Sequence, residues 1–506
     1  MQRSIVDGFL SIVTGKVLVL VVTTISTPIL YRLLGPSKFG DYSFALSLFA
    51  VYMIVVSSGV SDGIRKFIAE DRPCENWEEH VFGFYFRLAV VLSLFGAGTL
   101  VLAARAGLAA RYLGPDFTLY VYLLAGLVVA AQFRTFARRT LMGFGLERYS
   151  EPLRVLNKVA NFAIGIPLVY VGHGVAGILG GLVVSSLLVA LVGFGLVFRR
   201  LSLSSVRKRT PSSFPHRELL SFNTGSILLI FLLMSLYHAD VLMLKLLVGS
   251  TKTGNYKAAL KLAEFLWFVP IAIQTVFVHS TSELWSNERH DQISELATRA
   301  TRYTFLITMV MVVGIASLAD IAVPMYFGPE AVPAITPLLL LLPGSLGLAL
   351  ARPILAIGQG KGDLKFPTLA TAGAASINFA LNLLLIPRYG MHGAAVATSI
   401  GYSSMFGFHL WSARRIGFDP LTDARIGRTV LTALLAAGPI FYLPSVIGND
   451  LVTLVVVPVV GGTLYLVAAF ITRALGVVEL LDVLASFPAP IGSSAERLKW
   501  HFDLFT

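Results

Sequence analysis

The chain has 506 residues, 56% of them hydrophobic and only 13% charged, and its mean hydropathy is +0.77. That balance excludes a water-soluble globular domain and points to a protein lying in a bilayer. The net charge of +12 has no basic soluble module to carry it, which excludes nucleic-acid binding and leaves anionic membrane lipids as its partner.

Apolar runs of about twenty residues, enough for a helix to cross the hydrocarbon core, recur along the chain. They predict an all-α membrane protein with about fourteen spans, at 8–34, 42–62, 81–104, 118–136, 154–172, 175–198, 219–245, 254–280, 302–326, 332–357, 367–386, 391–412, 427–446 and 451–472. The runs are continuous and do not alternate, which argues against a transmembrane barrel. The first span is too long for a signal-peptide core and no small-residue cleavage site follows it, so it is expected to remain. Spans 1–6 form a first lobe (1–198), and a polar, basic cytoplasmic linker follows at 199–218, with Pro211 and Pro215. A second lobe occupies 219–412, and spans 13 and 14 (413–472) have no counterpart in the first half. The tail, 473–506, contains GVVELLDVLASF, whose pattern suits a helix on the membrane surface. The segments 64–80 and 282–303 mix charge with apolar residues and read as connectors leaning on the bilayer.

Charge placement orients the chain. Alternate loops, with the N-terminus and the tail, hold 27 lysines and arginines, among them Arg65, Arg134, Arg138, Arg154, Arg217 and Arg302. The opposite loops hold seven: Arg32, Lys38, Arg105, Arg111, Lys245, Lys252 and Arg388. The positive-inside rule therefore predicts both termini in the cytoplasm and a multi-pass protein of the cell membrane. Cys74 is the lone cysteine, so no disulfide or cysteine metal cluster forms within one chain.

The chain also repeats itself. Residues 30–46 read LYRLLGPSKFGDYSFAL and residues 244–260, at an offset of 214, read LKLLVGSTKTGNYKAAL, with eight of the seventeen positions identical. The same offset relates YLGPD at 112–116 to YFGPE at 326–330. Asn157 and Asn161 match Asn378 and Asn382 at an offset of 221. An even number of crossings separates the copies, which predicts two six-helix lobes related by a pseudo-twofold axis along the membrane normal. Duplicated membrane proteins of this kind are typically transporters with the pathway between the halves.

Charges at bilayer depth are costly and mark function. The expected intramembrane cations are Lys16, Arg87, Lys158, Lys257, Lys261 and Arg352, against the acids Asp240 and Glu264, an excess suited to an anionic ligand. Lys257, Lys261 and Glu264 fall at i, i+4 and i+7, one helical face on which two lysines clamp a phosphate. Competing readings stand beside these: snorkelling for Lys158, Lys257 and Arg352, and a carboxylate partner for Arg87. His238 and Asp240 form either a proton or sodium relay or a buried structural pair. With Glu264 they are the candidates for Na+ or H+ coupling; no other cofactor is expected. The asparagine stripes read as interhelical hydrogen bonds. Soluble-enzyme motifs fail. The glycine-rich run at 358–362 lacks the Gly-Lys-Ser/Thr ending of a phosphate loop, and no zinc-protease motif occurs. The short outer loops offer only the scattered acids Asp41, Asp116, Glu330 and Asp450, too few for a membrane glycosyltransferase, and the chain is not expected to be an enzyme.

The loop after span 1, HADVLMLKLLVGSTKTGNYKAALKL across spans 7–8, YFGPEAVPAITPLLLLLPG and LNLLLIPRYGMHGAAVATSIG together resemble Wzx-like polysaccharide flippases. These belong to the multidrug/oligosaccharidyl-lipid/polysaccharide exporter superfamily, and the resemblance covers nearly the whole chain. It implies alternating-access movement of a polyprenyl-phosphate- or pyrophosphate-linked oligosaccharide from the cytoplasmic to the outer leaflet, in concert with glycan-assembly proteins. The phosphate would enter a cationic cavity. Cation-coupled multidrug exporters of the same superfamily, and lipid II-type flippases, are the alternatives. A binder of cationic drugs calls for acids where this chain has bases.

Overall fold

The computed structural model describes residues 2–222, 224–485, 492–494, 496–497 and 499, and among these there is no strand. Helix is the expected outcome, because a backbone in hydrocarbon must satisfy its own hydrogen bonds within the segment. The first helices are α1 (Gln2–Ala69), α2 (Trp77–Arg105), α3 (Leu108–Leu113), α4 (Asp116–Gly143), α5 (Glu147–Leu168), α6 (Gly174–Val197) and α7 (His216–Ser221). Next come α8 (Thr224–Leu247), α9 (Ser250–Ala263), α10 (Phe268–Ser286), α11 (His290–Phe327) and α12 (Ile335–Gly360). The last are α13 (Lys365–Ile416), α14 (Ile426–Val446), α15 (Asp450–Ile471) and α16 (Val477–Ala485). Residues 486 and 487 of the expected surface helix lie outside the described residues.

Among the described residues eleven helical stretches are long and apolar enough to cross a membrane. Three of them run for 44, 51 and 52 residues. At 1.5 Å per residue even the shortest spans about 66 Å, twice the hydrocarbon core. Each is broken by a glycine at positive φ: Gly35 (69°), Gly172 (104°) and Gly390 (56°). These glycines lie at or beside the boundaries expected between spans 1 and 2, 5 and 6, and 11 and 12, so each stretch has the length of two crossings.

Compactness divides the chain otherwise than the duplication does. One unit takes Met1–Lys261, Tyr326–Pro337 and Thr371–Gly401; the other takes Leu262–Met325, Leu338–Ala370 and Tyr402–Thr506. Parts of the second repeat thus belong with the whole of the first.

At one end of the first unit, the core gathers Phe67, Trp77, Phe82, Tyr85, Phe136 and Phe214, all nearly inaccessible. The segment 199–218 is anchored to that core through Leu201 and Phe214, while most of its residues stay exposed. Phe214 packs on Trp77 at 5.4 Å between centroids, and Tyr85 Oη donates to the Leu219 carbonyl at 3.0 Å. Arg72 forks onto Glu218 through bonds of 2.9 and 2.6 Å, and Lys208 meets Glu79 at 2.5 Å.

Both copies of the repeated loop also lie in this unit, and they clasp each other. A Cβ on Gly40 would overlap the carbonyl oxygen of Ser250, and one on Gly254 would overlap that of Pro36. Pro36 and Ser250 are equivalent positions, so the contact maps onto itself when the copies are exchanged. The same exchange relates two side-chain bonds. Tyr31 Oη donates to Asn255 Oδ1 at 2.7 Å, and Lys245 Nζ donates to Asp41 Oδ1 at 2.5 Å. A local twofold relation therefore joins the copies, with a neutral bond on one side and an ion pair on the other.

The second unit has two cores. One surrounds Trp285, Ile293, Ile354, Ile357 and Phe418; the other joins α11, α14 and α15 through Leu306, Val313, Ile440, Val457 and Tyr465. Helix α16 is tied to it by Glu479, whose Oε1 lies 3.0 Å from Arg302 and 3.1 Å from Arg425.

Candidate functional site

Two polar clusters in the first unit stand out against its apolar helices. The first is cationic, built where α1, α4 and α5 meet. The carboxylate of Glu151, 3% exposed, lies 3.3 Å from Arg138 and 3.3 Å from Arg154. Lys16, half-buried on α1, is within electrostatic reach of both Arg154 and Glu151. Gly15 makes this approach possible, since a Cβ there would come within 3.1 Å of Glu151 Oε2.

Further along the bundle, Arg134 Nη1 donates to Asn157 Oδ1 and, at 3.4 Å, to Ser186 Oγ. These neutral groups satisfy the guanidinium without cancelling its charge, so its positive potential stays available to an anion. Lys158 is within electrostatic reach of Arg134 and Lys261, and its Nζ lies 4.9 Å from the Phe162 ring centroid. The expected members Lys16, Lys158 and Lys261 are therefore joined by Arg134, Arg138 and Arg154, which the sequence reading had assigned to a loop. Hydropathy windows end where charges begin. The signal that marks them is spacing: Arg134/Arg138 and Arg154/Lys158 are both i, i+4 pairs on helices.

The second cluster surrounds Asp240, fully buried on α8. Its carboxylate accepts from Tyr256 Oη on α9, from Thr398 Oγ1 on α13 at 3.1 Å and from the Val241 amide at 2.6 Å. Asn378 lies beside Thr398, and Asn382 Nδ2 donates to Asn378 Oδ1 at 3.1 Å. Asn382 Oδ1 is buried with no partner among the described residues. Lys257, 8% exposed, is an electrostatic neighbour of Asp240. That buries it and sets aside the reading in which it reaches lipid head groups. His238, two residues before Asp240 and so on another face, meets Ser47 Oγ at 3.1 Å.

Three expected site residues stand elsewhere. Arg87 is exposed, and its Nη1 donates to the Lys208 carbonyl at 2.9 Å, so it meets the folded-back linker and not a carboxylate. Arg352 belongs to the second unit, where it donates to Gln274 Oε1 at 3.1 Å and lies 5.1 Å from the Trp267 ring centroid. Glu264 belongs to the second unit, just past the last residue of α9. Helix α9 stops at Ala263 and residues Glu264–Trp267 turn as a 3-10 helix. Pro270 gives the reason, since its missing N–H and its ring disfavour an α-helical bond to the carbonyl four residues earlier.

The second unit also holds an apolar cavity of about 340 Å3, lined by residues that include Leu262, Phe265, Met311, Leu338, Ile440 and Val457.

The family model for polysaccharide biosynthesis proteins matches residues 5–278, and that for the lipid II flippase MurJ matches residues 155–462. A probable low-salt glycan biosynthesis flippase of Haloferax volcanii is 24% identical over 435 residues, which are 84% of this chain and 86% of that protein. An uncharacterized membrane protein of Methanocaldococcus jannaschii is 22% identical over 361 residues, 69% of this chain and 70% of its own. Among solved structures, the lipid II flippase MurJ in an inward closed conformation aligns with a TM-score of 0.72 at 14% identity, covering 90% of this chain and 99% of that one. An inward-facing multidrug resistance MATE family transporter of the MOP superfamily gives 0.66 at 16%, covering 78% and 94%. At such identities the structural likeness is one of fold.

Proposed function

We infer the activity of this chain from its family: it belongs to the polysaccharide biosynthesis proteins, and it is a flippase for lipid-linked oligosaccharide. The observation that supports this reading most directly is the cationic cluster of Lys16, Arg134, Arg138, Arg154, Lys158 and Lys261, set among apolar helices with Glu151 as its acid. A phosphate or pyrophosphate linking glycan to lipid is the chemical partner such a cluster fits, since charge-assisted bonds to phosphate oxygens offset the loss of water. The lipid chain stays in the hydrocarbon of the bilayer. A carrier of cationic drugs is disfavoured by the same cluster, which would repel them.

Movement runs from the cytoplasmic to the outer leaflet of the cell membrane, with both termini in the cytoplasm, as the division of loop cations supports, 24 to seven once Arg134, Arg138 and Arg154 are counted with the cluster. Asp240 is the coupling residue, taking Na+ or a proton. The hydroxyls of Tyr256 and Thr398 meet its carboxylate, and together they are oxygen atoms, the ligand type a hard cation prefers. Lys257 and His238 flank that site, and Arg352 with Gln274 is the candidate cation of the second unit. Export of a surface glycan sets the flippase beside the enzymes that assemble its cargo.

Proteoliposomes loaded with a fluorescent polyprenyl-pyrophosphate oligosaccharide test the reading. Wild-type protein is expected to expose the label to the far leaflet, and the double variant Lys16→Ala/Lys261→Ala to do so about 150-fold more slowly, the scale of two charged contacts at roughly 1.5 kcal/mol each. A double variant that flips at the wild-type rate removes the cationic site from the mechanism.

A further inference from the structure

Glu151 is unusual for where it stands. A carboxylate nearly closed to solvent sits among the cations expected to receive the cargo's phosphate, yet it binds neither arginine tightly. Both its contacts, to Arg138 and Arg154, are 3.3 Å, beyond the 2.7–2.9 Å usual for charge-assisted bonds. Arg138 directs its shorter bond elsewhere, from Nε to the Ser150 carbonyl at 2.9 Å. Arg154 is 29% exposed, and among the described residues the acceptor it meets is Glu151 Oε2. A guanidinium carries five N–H donors in a planar fork, so Arg154 is prepared for an oxyanion that presents more oxygens at closer range.

On the far side, Glu151 lies against α1 at Gly15, immediately before Lys16. The carboxylate therefore touches three parts of the site at once: the end of α4 through Arg138, the first turns of α5 through Arg154, and the α1 backbone at Gly15. Where cations crowd together, an internal anion holds the empty site together; without it, buried like charges would repel one another.

We propose that Glu151 is a resident counter-ion, occupying in the cargo-free protein the place that the phosphate of the lipid-linked substrate takes on binding, and that the phosphate displaces it. The inference rests on the flippase reading and adds to it a residue that sets cargo affinity by competition. Displacement frees the carboxylate from Arg154 and from its seat against Gly15, loosening the α1–α5 crossing only when cargo is present. Competition also keeps binding from becoming too tight for release on the other side, because Glu151 can return as the phosphate leaves.

The test measures binding of a polyprenyl phosphate, the uncharged polyprenol and inorganic phosphate to the full-length protein in nanodiscs. Glu151→Gln keeps the shape and removes the competing charge. It is expected to bind polyprenyl phosphate roughly five- to tenfold more tightly than wild type, the effect of losing one competing ion pair, and to flip more slowly because release is delayed. Tightening of inorganic phosphate as well would support competition for the phosphate itself. Glu147→Gln removes the same charge from the first turn of α5 outside the cluster and is expected to match wild type. The proposal is overturned if folded Glu151→Gln binds polyprenyl phosphate no more tightly than wild type. It is equally overturned if polyprenol tightens as much, or if Glu147→Gln reproduces the effect. Should Glu151→Gln not fold, Glu151→Asp decides, since a carboxylate one methylene shorter competes less well and must also tighten binding. Wild-type protein that binds no polyprenyl phosphate at all would instead sink the flippase reading, a separate outcome.

Discussion

Alanine at Gly254 is expected to lower the melting temperature of the purified protein and to abolish flipping, and alanine at Gly40 is expected to do the same. Each methyl would be driven into a backbone carbonyl of the other loop copy, that of Pro36 or of Ser250, and main chain cannot swing aside as a long side chain can. The Gly40 site is also closed by the Gly254 nitrogen, 2.9 Å from where the methyl would stand. Overpacking of this kind costs about 1–3 kcal/mol or more per site. The loops must then separate, which also strips the bonds Tyr31–Asn255 and Lys245–Asp41 from their geometry. Because the two sites are exchanged by the local twofold relation, the double variant should fall short of the sum of the singles, the first methyl having already parted the loops. Differential scanning fluorimetry in detergent checks this. Wild-type melting in Gly254→Ala would mean that the loops do not meet in the membrane protein as they do in the structure.

Asp240→Asn is expected to leave the protein folded and to uncouple it. Asparagine keeps an oxygen to accept from Tyr256 and Thr398 and gives up only the bond from the adjacent Val241 amide, so the junction of α8, α9 and α13 survives. It carries no charge with which to hold a cation or release a proton. Flipping in proteoliposomes should fall by about a hundredfold, the consequence of losing roughly 3 kcal/mol from a charged contact. The residual rate should no longer respond to an imposed sodium or proton gradient. A variant that still accelerates under either gradient would remove Asp240 from coupling.

Much of the fold was legible because bilayer insertion is a local constraint. The apolar runs, the loop cations and the repeat at offset 214 are properties of neighbouring residues, and they suffice for an all-helical, duplicated membrane protein. Even the reversals at Gly35, Gly172 and Gly390 sit at or beside expected breaks, since only glycine adopts such φ values at little cost. The cationic cluster was legible in part. Lys16, Lys158 and Lys261 stood out because each interrupts an apolar run. Arg134, Arg138 and Arg154 did not, because they occur at helix ends among other charges and resemble ordinary loop cations. Arg87 erred in the opposite direction: depth in the sequence suggested the cavity, whereas a folded-back linker meets it.

Composition and periodicity alone determined the environment, the helical class and the duplication, because each follows from residues close together along the chain. Tertiary structure decided which of them act together. Asp240 reaches Thr398 across 158 positions, Tyr31 reaches Asn255 across 224, and Glu151 draws Arg138 and Arg154 beside Gly15 of the first helix. No local pattern encodes such meetings, since they depend on how helices cross and on which faces the crossings close.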